Sequence, residues 1–302
     1  MERALSNGQD EMTVCNNRQP INAMTVDVED YFQVSAFEKI IDREQWDKLA
    51  CRIEDNTRKI LSLFKRHDVQ ATFFTLGWVA ERYPQLVKDI VADGHELACH
   101  GQNHIRVTEQ TPEQFRADII QSKRLLEEVS GVAVNGYRAA SYSIGASNLW
   151  ALDVLEEEGF SYSSSIYPVK HDLYGMPDAP RFSFRPTEKG ALIEIPVTTT
   201  QIASRNFPCG GGGFFRLYPY ALSKWAINRV NKQDNQSTVF YFHPWEIDPE
   251  QPKQLGIDMK TRFRHYLNLH KTEARLDRLL GDFNWGTMQQ VFIDNDTQTT
   301  KN

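Results

Sequence analysis

The chain has 302 residues, long enough for one large domain or two small ones, and 40% of them are hydrophobic, so a sizeable core can be filled. The formal net charge of −6 argues against a general nucleic-acid surface, since Lys and Arg are not in excess to neutralise phosphates, although a local basic patch for an anionic polymer stays compatible with it. Four cysteines, Cys15, Cys51, Cys99 and Cys209, form no CxxC pair and are too sparse for a disulfide scaffold or a zinc finger, so they read as free thiols.

Residues 1–20 are polar and aperiodic and read as a flexible extension. They contain no apolar run of signal-peptide length, and no stretch reaches transmembrane length, which points to a cytoplasmic protein without a membrane span. A single domain is expected over 21–290, followed by a flexible tail over 291–302. Ile21 to Val28 reads as a short buried strand ending in acidic residues. Ile53, Thr57, Ile60, Leu61 and Phe64 recur at helical spacing. ATFFT and ELACH read as strands, each joined to a helix, with Gly94 closing the second. Thr111, Pro112 and Gln114 form a capping-box start for a helix that Gly131 stops. VNGYRAAS, YSSS, LIEIPVTT and TVFYFHPW supply further strands. RFRHYLNLHKTEARLDRLL reads as one amphipathic helix. Strand and helix alternate, so the fold class is α/β with a mostly parallel sheet, and sites gather beyond the C-terminal strand ends. Between about 167 and 220 the rhythm gives way to long loops rich in Pro, Gly and aromatics. Gly210 to Gly213 suggest close backbone approach or mobility, and no P-loop pattern accompanies them.

His100 and His104 stand four apart, a spacing that on a helical turn lets two imidazoles share a metal; the alternative is one core and one surface histidine. Asp27, Glu29 and Asp30 crowd the end of an apolar strand, where carboxylates need partners. One could complete a two-His, one-carboxylate site and another could act as base toward an activated water. Strand parity puts Asp27 and Glu29 on one side and Asp30 on the other. Arg138, just after a strand, can hold a carboxylate in a fixed pose and keep it ionised, or form a surface ion pair. His243 ends an apolar strand, where it is either a packed residue or a proton donor to a leaving amine. Trp245 and Glu246 could line a pocket beside it, and His171 could reach a substrate from the long loop. His67 reads as a helix-end residue, His95 as the residue before an edge strand, and His265 and His270 as packing residues. No G-x-S-x-G elbow supports a serine nucleophile.

Taken together, TVDVED, HGQNH, GYRAASYSI and YFHPWE resemble, in order and spacing, the motifs of the polysaccharide deacetylase family, also called the NodB-homology or carbohydrate esterase family 4 group. EIPVTT, GGGGFFRLYPY, FHPWEIDPEQP and RFRHYLNLHKTEARL look like one subgroup, encoded near exopolysaccharide and exosortase genes. The resemblance covers roughly 21–290. It implies a distorted, incomplete (β/α) barrel of about seven strands with long substrate loops. It also implies Asp27 as general base, Arg138 as its orienting partner and His243 as general acid. His100, His104 and Glu29 would bind zinc, or cobalt or nickel, with Asp30 as the rival carboxylate. A backbone N–H at Ser141 or Tyr142 would stabilise the oxyanion. Trp245, His171 and Phe214 would line a groove for an N-acetylated saccharide. The implied reaction is hydrolysis of the N-acetyl group of an N-acetylhexosamine-containing exopolysaccharide or its precursor. The alternatives are another amide, including a cyclic one, or a sugar-binding homologue with impaired chemistry. The oligomeric state stays open between monomer and homo-oligomer. Two departures stand out: the family usually has Pro where Ala140 stands, and the subgroup commonly has Asp where Ser163 stands.

Overall fold

The computed structural model describes residues 20–171, 175–187 and 190–294. The expected extension lies outside these residues but for Pro20, as does the expected tail beyond Asp294. In chain order the elements are β1 (Ile21–Val28), α1 (Ile53–Arg66), β2 (Thr72–Thr75), α2 (Gly77–Arg82), α3 (Pro84–Ala92) and β3 (Glu96–Cys99). Next come α4 (Pro112–Ser130), β4 (Gly136–Tyr137), α5 (Trp150–Glu157), β5 (Tyr162–Ser163) and β6 (Ile193–Glu194). The hairpin β7 (Thr199–Ile202) and β8 (Arg205–Pro208), then α6 (Gly212–Leu217), α7 (Tyr220–Arg229) and β9 (Val239–Phe242), lead into α8 (Met259–Tyr266), α9 (Leu269–Asp282) and β10 (Asn284–Gly286).

Eight of these strands form one curled parallel sheet in the order β10-β1-β2-β3-β4-β5-β6, with β9 also paired to β1; β7 and β8 make a separate antiparallel ribbon. This is the incomplete barrel that the resemblance implies. Parity along the strands separates its two faces. Met24, Val26 and Val28 of β1, Phe73 of β2, and Phe240 and Phe242 of β9 pack outward against Ile60 and Phe64 of α1 and Leu276 and Leu279 of α9. Leu97, Cys99 and Tyr137 do the same against Phe115 and Ile119 of α4 and Leu155 of α5. Ala23, Phe74, Ala98, Tyr162 and Val239 face inward, with Met288 and Val291 packed among them. Continuing the inward parity past each strand end gives Asp27 and Glu29 after Ala23, His100 after Ala98, Arg138 after Gly136, and His243 after Val239. The strands therefore aim the chemistry-bearing residues at one axis.

Several local readings are corrected by the tertiary structure. LIEIPVTT is not one strand: Pro196 lacks an N–H for the ladder, so β6 stops at Glu194 and β7 starts a different sheet at Thr199. The charged C-terminal segment is two helices, because Asn268 turns left-handed (φ 52°) between α8 and α9. His95 precedes a strand in the sheet interior, since β3 pairs with both β2 and β4. The start of α4 is as read: the Thr111 side chain accepts from the Gln114 amide at 3.3 Å, the Gln114 side chain accepts from the Thr111 amide at 2.8 Å, and Gly131 closes the helix at φ 74°. Thr111→Ala is expected to lower stability by about 1 kcal/mol, read from the urea midpoint, with no effect on any site property.

Candidate active site

Arg138 sits at the centre with no solvent exposure. Its Nη1 donates to Asp27 Oδ1 at 2.6 Å and to Thr25 Oγ1 at 2.8 Å. Its Nε and Nη2 donate to the carbonyl and hydroxyl of Ser164 at 3.2 and 3.0 Å. The guanidinium also lies 4.0 Å over the Phe74 ring. Burial works against its charge, but the adjacent Asp27 carboxylate outweighs that and raises its pKa above the usual value. Its backbone carbonyl accepts from His100 Nδ1 at 2.8 Å. That bond fixes the tautomer and leaves Nε2 of His100 as the open donor atom, the arrangement common in metal-bound histidines. Burial lowers the His100 pKa to about 4, so the ring is neutral as a ligand must be.

Glu29, His100 and His104 bring one ligand atom each within 4.8 Å of one another, and all three are buried. His104 Nε2 lies 2.8 Å from Glu29 Oε2. Apart from that approach to His104, Glu29 Oε2 has no hydrogen-bond partner among the described residues, and His104 Nδ1 has none there. Buried polar atoms left this way are costly, and a carboxylate with two imidazoles is a donor set that suits a divalent cation, so the residues fit one. Burial alone would raise the Glu29 carboxyl, but the His104 and His243 imidazoles hold it down at about 2. The convergence does not come from a helix, as the four-residue spacing suggests. Residues 100–104 are a loop, and the left-handed backbone of His104 (φ 51°) brings its ring round to His100, with centroids 5.2 Å apart.

Asp30 points away from this cluster. Its oxygens accept from the amides of Tyr31, Arg52 and Ile53 at 2.8, 2.6 and 3.0 Å, and from the Cys51 thiol at 3.0 Å. It serves the N-terminus of α1, which has no side-chain cap of its own. The structure thus separates the two rival carboxylates as strand parity suggests.

His243 Nε2 faces the same space, 3.3 Å from Glu29 Oε1 and 3.9 Å from Asp27 Oδ2. Its Nδ1 donates to Glu246 Oε1 at 2.7 Å, and Glu246 Oε2 accepts from Arg216 Nε at 2.6 Å. Burial opposes protonation of His243, but Glu29 and Glu246 outweigh it and raise its pKa to about 9. Trp245 lies between His243 and His265, stacked 5.2 Å from the first ring and 4.3 Å from the second, and its Nε1 reaches Glu29 Oε1 at 3.5 Å. His265, read from sequence as a packing residue, both packs there and lines the cleft.

Glu246 is placed only as a pocket-lining residue by sequence reasoning, and Arg216 is missed. The available signals were the three-residue offset from His243 and the Arg that follows the glycine run. Those glycines permit the contact: a Cβ on Gly212 would stand 2.2 Å from Glu246 Oε1. Ser163 donates to Ser165 Oγ at 2.8 Å, and Ser165 accepts from the Ala139 amide at 2.9 Å. It therefore supports the turn after Arg138, and Glu246 is the carboxylate that orients His243. In that turn Ser141 and Tyr142 are both left-handed (φ 53° and 51°), and the Tyr142 N–H is used on the Ala139 carbonyl at 3.0 Å. Of the two amides nominated for an oxyanion, Ser141 is the one not held by that bond.

A cleft of about 420 Å³ opens over these groups, within the usual range for ligand sites. Asp27, Glu29, His100, His104, His243 and Trp245 form its floor, and Ser141, Tyr142, His171 and Phe214 also line it. Exposed Leu217 and Phe263 stand at its mouth.

Residues 45–162 match the family profile of the polysaccharide deacetylases. A second profile, a domain of unknown function (DUF3473), matches residues 164–293. A peptidoglycan-N-acetylglucosamine deacetylase of Bacillus cereus is 31% identical over 117 residues, 35% of this chain and 42% of that protein. A chitooligosaccharide deacetylase of Bradyrhizobium is 29% identical over 99 residues, 33% of this chain and 43% of that protein. The chain thus spans less than half the length of these curated relatives. Among solved structures, a Mycobacterium smegmatis protein assigned as a polysaccharide deacetylase aligns over 95% of this chain and 93% of its own, with a TM-score of 0.62 at 18% identity. The allantoinase Puue aligns over 95% and 96%, with a TM-score of 0.56 at 15% identity. At these identities the likeness is one of fold.

Three tests follow from the geometry. Glu29→Gln is expected to lower the affinity for added Zn2+ at least about tenfold, by titration against a chromogenic chelator, with little change in stability. Asp30→Ala is expected to leave that affinity unchanged and to cost about 2–4 kcal/mol in urea unfolding, because it strands buried amides at the start of α1. Glu246→Gln is expected to lower kcat about 10- to 100-fold in the assay described below while KM stays nearly constant.

Proposed function

We propose that the protein hydrolyses the N-acetyl group of an N-acetylhexosamine-containing polysaccharide or its precursor, releasing acetate and leaving a free amine. The observation that carries this reading is the convergence of two differently partnered proton-transfer groups, Asp27 and His243, on the space beside the Glu29, His100 and His104 cluster. Glu29, His100 and His104 would hold a divalent ion, which we take to be zinc, although cobalt and nickel suit the same donors. When bound, it supplies a Lewis acid for the acetamide carbonyl and lowers the pKa of a water.

The protein's residues do the rest. Asp27 takes a proton from the attacking water on its carboxylate, held in place by Arg138. The Ser141 amide donates to the developing oxyanion. His243 delivers the proton on Nε2 to the leaving nitrogen, its ring fixed through Nδ1 by Glu246 and behind that by Arg216. Phe214, His171 and Trp245 flank the sugar. The cleft mouth, bounded by exposed Leu217 and Phe263, supports a polymer or its end rather than an enclosed small amide. The resemblance of the later segments to relatives encoded with exopolysaccharide genes supports an exopolysaccharide as the polymer.

The test is acetate release from N-acetylglucosamine oligomers and polymers by the protein as purified, after chelation, and with zinc restored. Release is expected to disappear on chelation, to return with zinc, and to fall by about 10²- to 10⁴-fold in Asp27→Asn. A chain that binds zinc but releases no acetate from any acetylated sugar would overturn the substrate assignment and favour another amide.

A further inference from the structure

Within nine residues the chain presents its three most exposed large apolar side chains among the described residues: Leu255 at 82%, Met259 at 79% and Phe263 at 57%. Met259 and Phe263 are four apart on α8 and share one face of it. The opposite side of that helix is anchored by buried His265, whose ring stacks on Trp245 and packs at a tilt against Phe37. The apolar face therefore projects from the protein on a helix held from behind.

Charge around this face runs against the rest of the molecule. Residues 253–264 contain Lys253, Lys260, Arg262 and Arg264 against a single acid, Asp258, a local balance of +3 in a chain of −6. Asp258 is engaged at the start of α8, where its side chain accepts from the Thr261 amide at 3.0 Å. Aliphatic, thioether and aromatic side chains flanked by Lys and Arg along a short helix and the turn before it match the two layers of a membrane interface. The apolar groups enter the acyl boundary while the cations meet phosphate. A saccharide is a poorer match, because Leu255 and Met259 offer neither a flat ring nor hydrogen bonds to a sugar.

We propose that this face, Leu255, Met259 and Phe263 with the basic side chains around them, docks on the surface of a lipid bilayer that carries anionic headgroups. Phe263 belongs to both the patch and the cleft mouth. Docking would therefore set the mouth of the cleft at the headgroup layer, where a saccharide carried on a lipid would present its sugars. That consequence rests on the deacetylase reading; the docking itself does not.

The experiment is flotation of the full chain with phosphatidylcholine vesicles, with and without phosphatidylglycerol, alongside acetate release from a short water-soluble acetylated oligosaccharide. Binding is expected to be at least about tenfold stronger with the anionic lipid and to weaken as salt is raised. In the double variant Leu255→Glu, Met259→Glu it is expected to be lost, with thermal stability and turnover of the soluble oligosaccharide unchanged. No binding to either vesicle, or binding that the variant leaves intact, would overturn the proposal. So would a variant that raises KM for the soluble oligosaccharide without vesicle binding, which would make the patch a saccharide surface. Loss of a concentration-dependent dimer in the variant without vesicle binding would make it a self-association surface instead. Failure of acetate release in all forms would bear on the proposed function and leave the vesicle result standing.

Discussion

A guanidinium without access to water must find its acceptors inside the protein, and Arg138 finds them on two sides of the barrel. Thr25 and Asp27 come from β1, and Ser164 comes from the end of β5. Removing any one partner would leave a charge or a donor buried without compensation, a cost of several kcal/mol. The same residue passes its position on, because its carbonyl holds the His100 ring. The pose of Asp27, the tautomer of His100 and the curvature that brings β1 opposite β4 and β5 are thus one constraint. A buried ion pair of this kind contributes weakly to stability on its own. Its consequence here is geometric.

The site crosses the boundary between the two matched segments. His100, His104, Arg138 and Ser141 lie in the stretch that matches the polysaccharide deacetylases; Arg216, His243, Glu246 and His265 lie in the stretch that matches a domain of unknown function. Both contribute parallel strands to one sheet, β2 to β5 from the first and β6, β9 and β10 from the second, with β1 between β2 and β9. The second stretch is therefore part of the barrel, and it supplies the His243 side of the cleft. Its orienting carboxylate, Glu246, stands three residues after the histidine it holds, and the glycine run allows α6 to bring Arg216 to that carboxylate. Ser163 is relieved of that role and stabilises the arginine turn through Ser165. That turn, which contains Ala140, is shaped by two consecutive left-handed residues and the bond from Tyr142 to Ala139.

Much of this was legible in the chain, and the reason is parity. Alternation in a strand is a local property, so the hydrophobic pattern of β1 and β9 already states that Asp27, Glu29 and His243 share the side opposite Val26 and Phe242. It also states that Asp30 does not. The capping box of α4 and its glycine stop are equally local, written in three side chains and one backbone conformation. What the chain order left open involves contacts between segments far apart. No spacing shows that Asp30 would serve the start of α1 more than twenty residues later, or that Arg216 would reach Glu246 thirty residues on. The histidine pair shows the difference most directly. Its spacing suggested a helical face, but a loop with a left-handed His104 achieves the convergence instead.

The sequence by itself determined the α/β class, the strand ends at which chemistry collects, and which side of its own strand each of those residues takes, because side-chain alternation and capping depend on neighbours in the chain. Only the tertiary structure decided which carboxylate joins the histidines, which one orients His243, and that the exposed face of α8 borders the cleft. Those choices depend on burial and on charge across the barrel, where a polar group takes whichever distant partner relieves it of desolvation, and linear order does not contain that information.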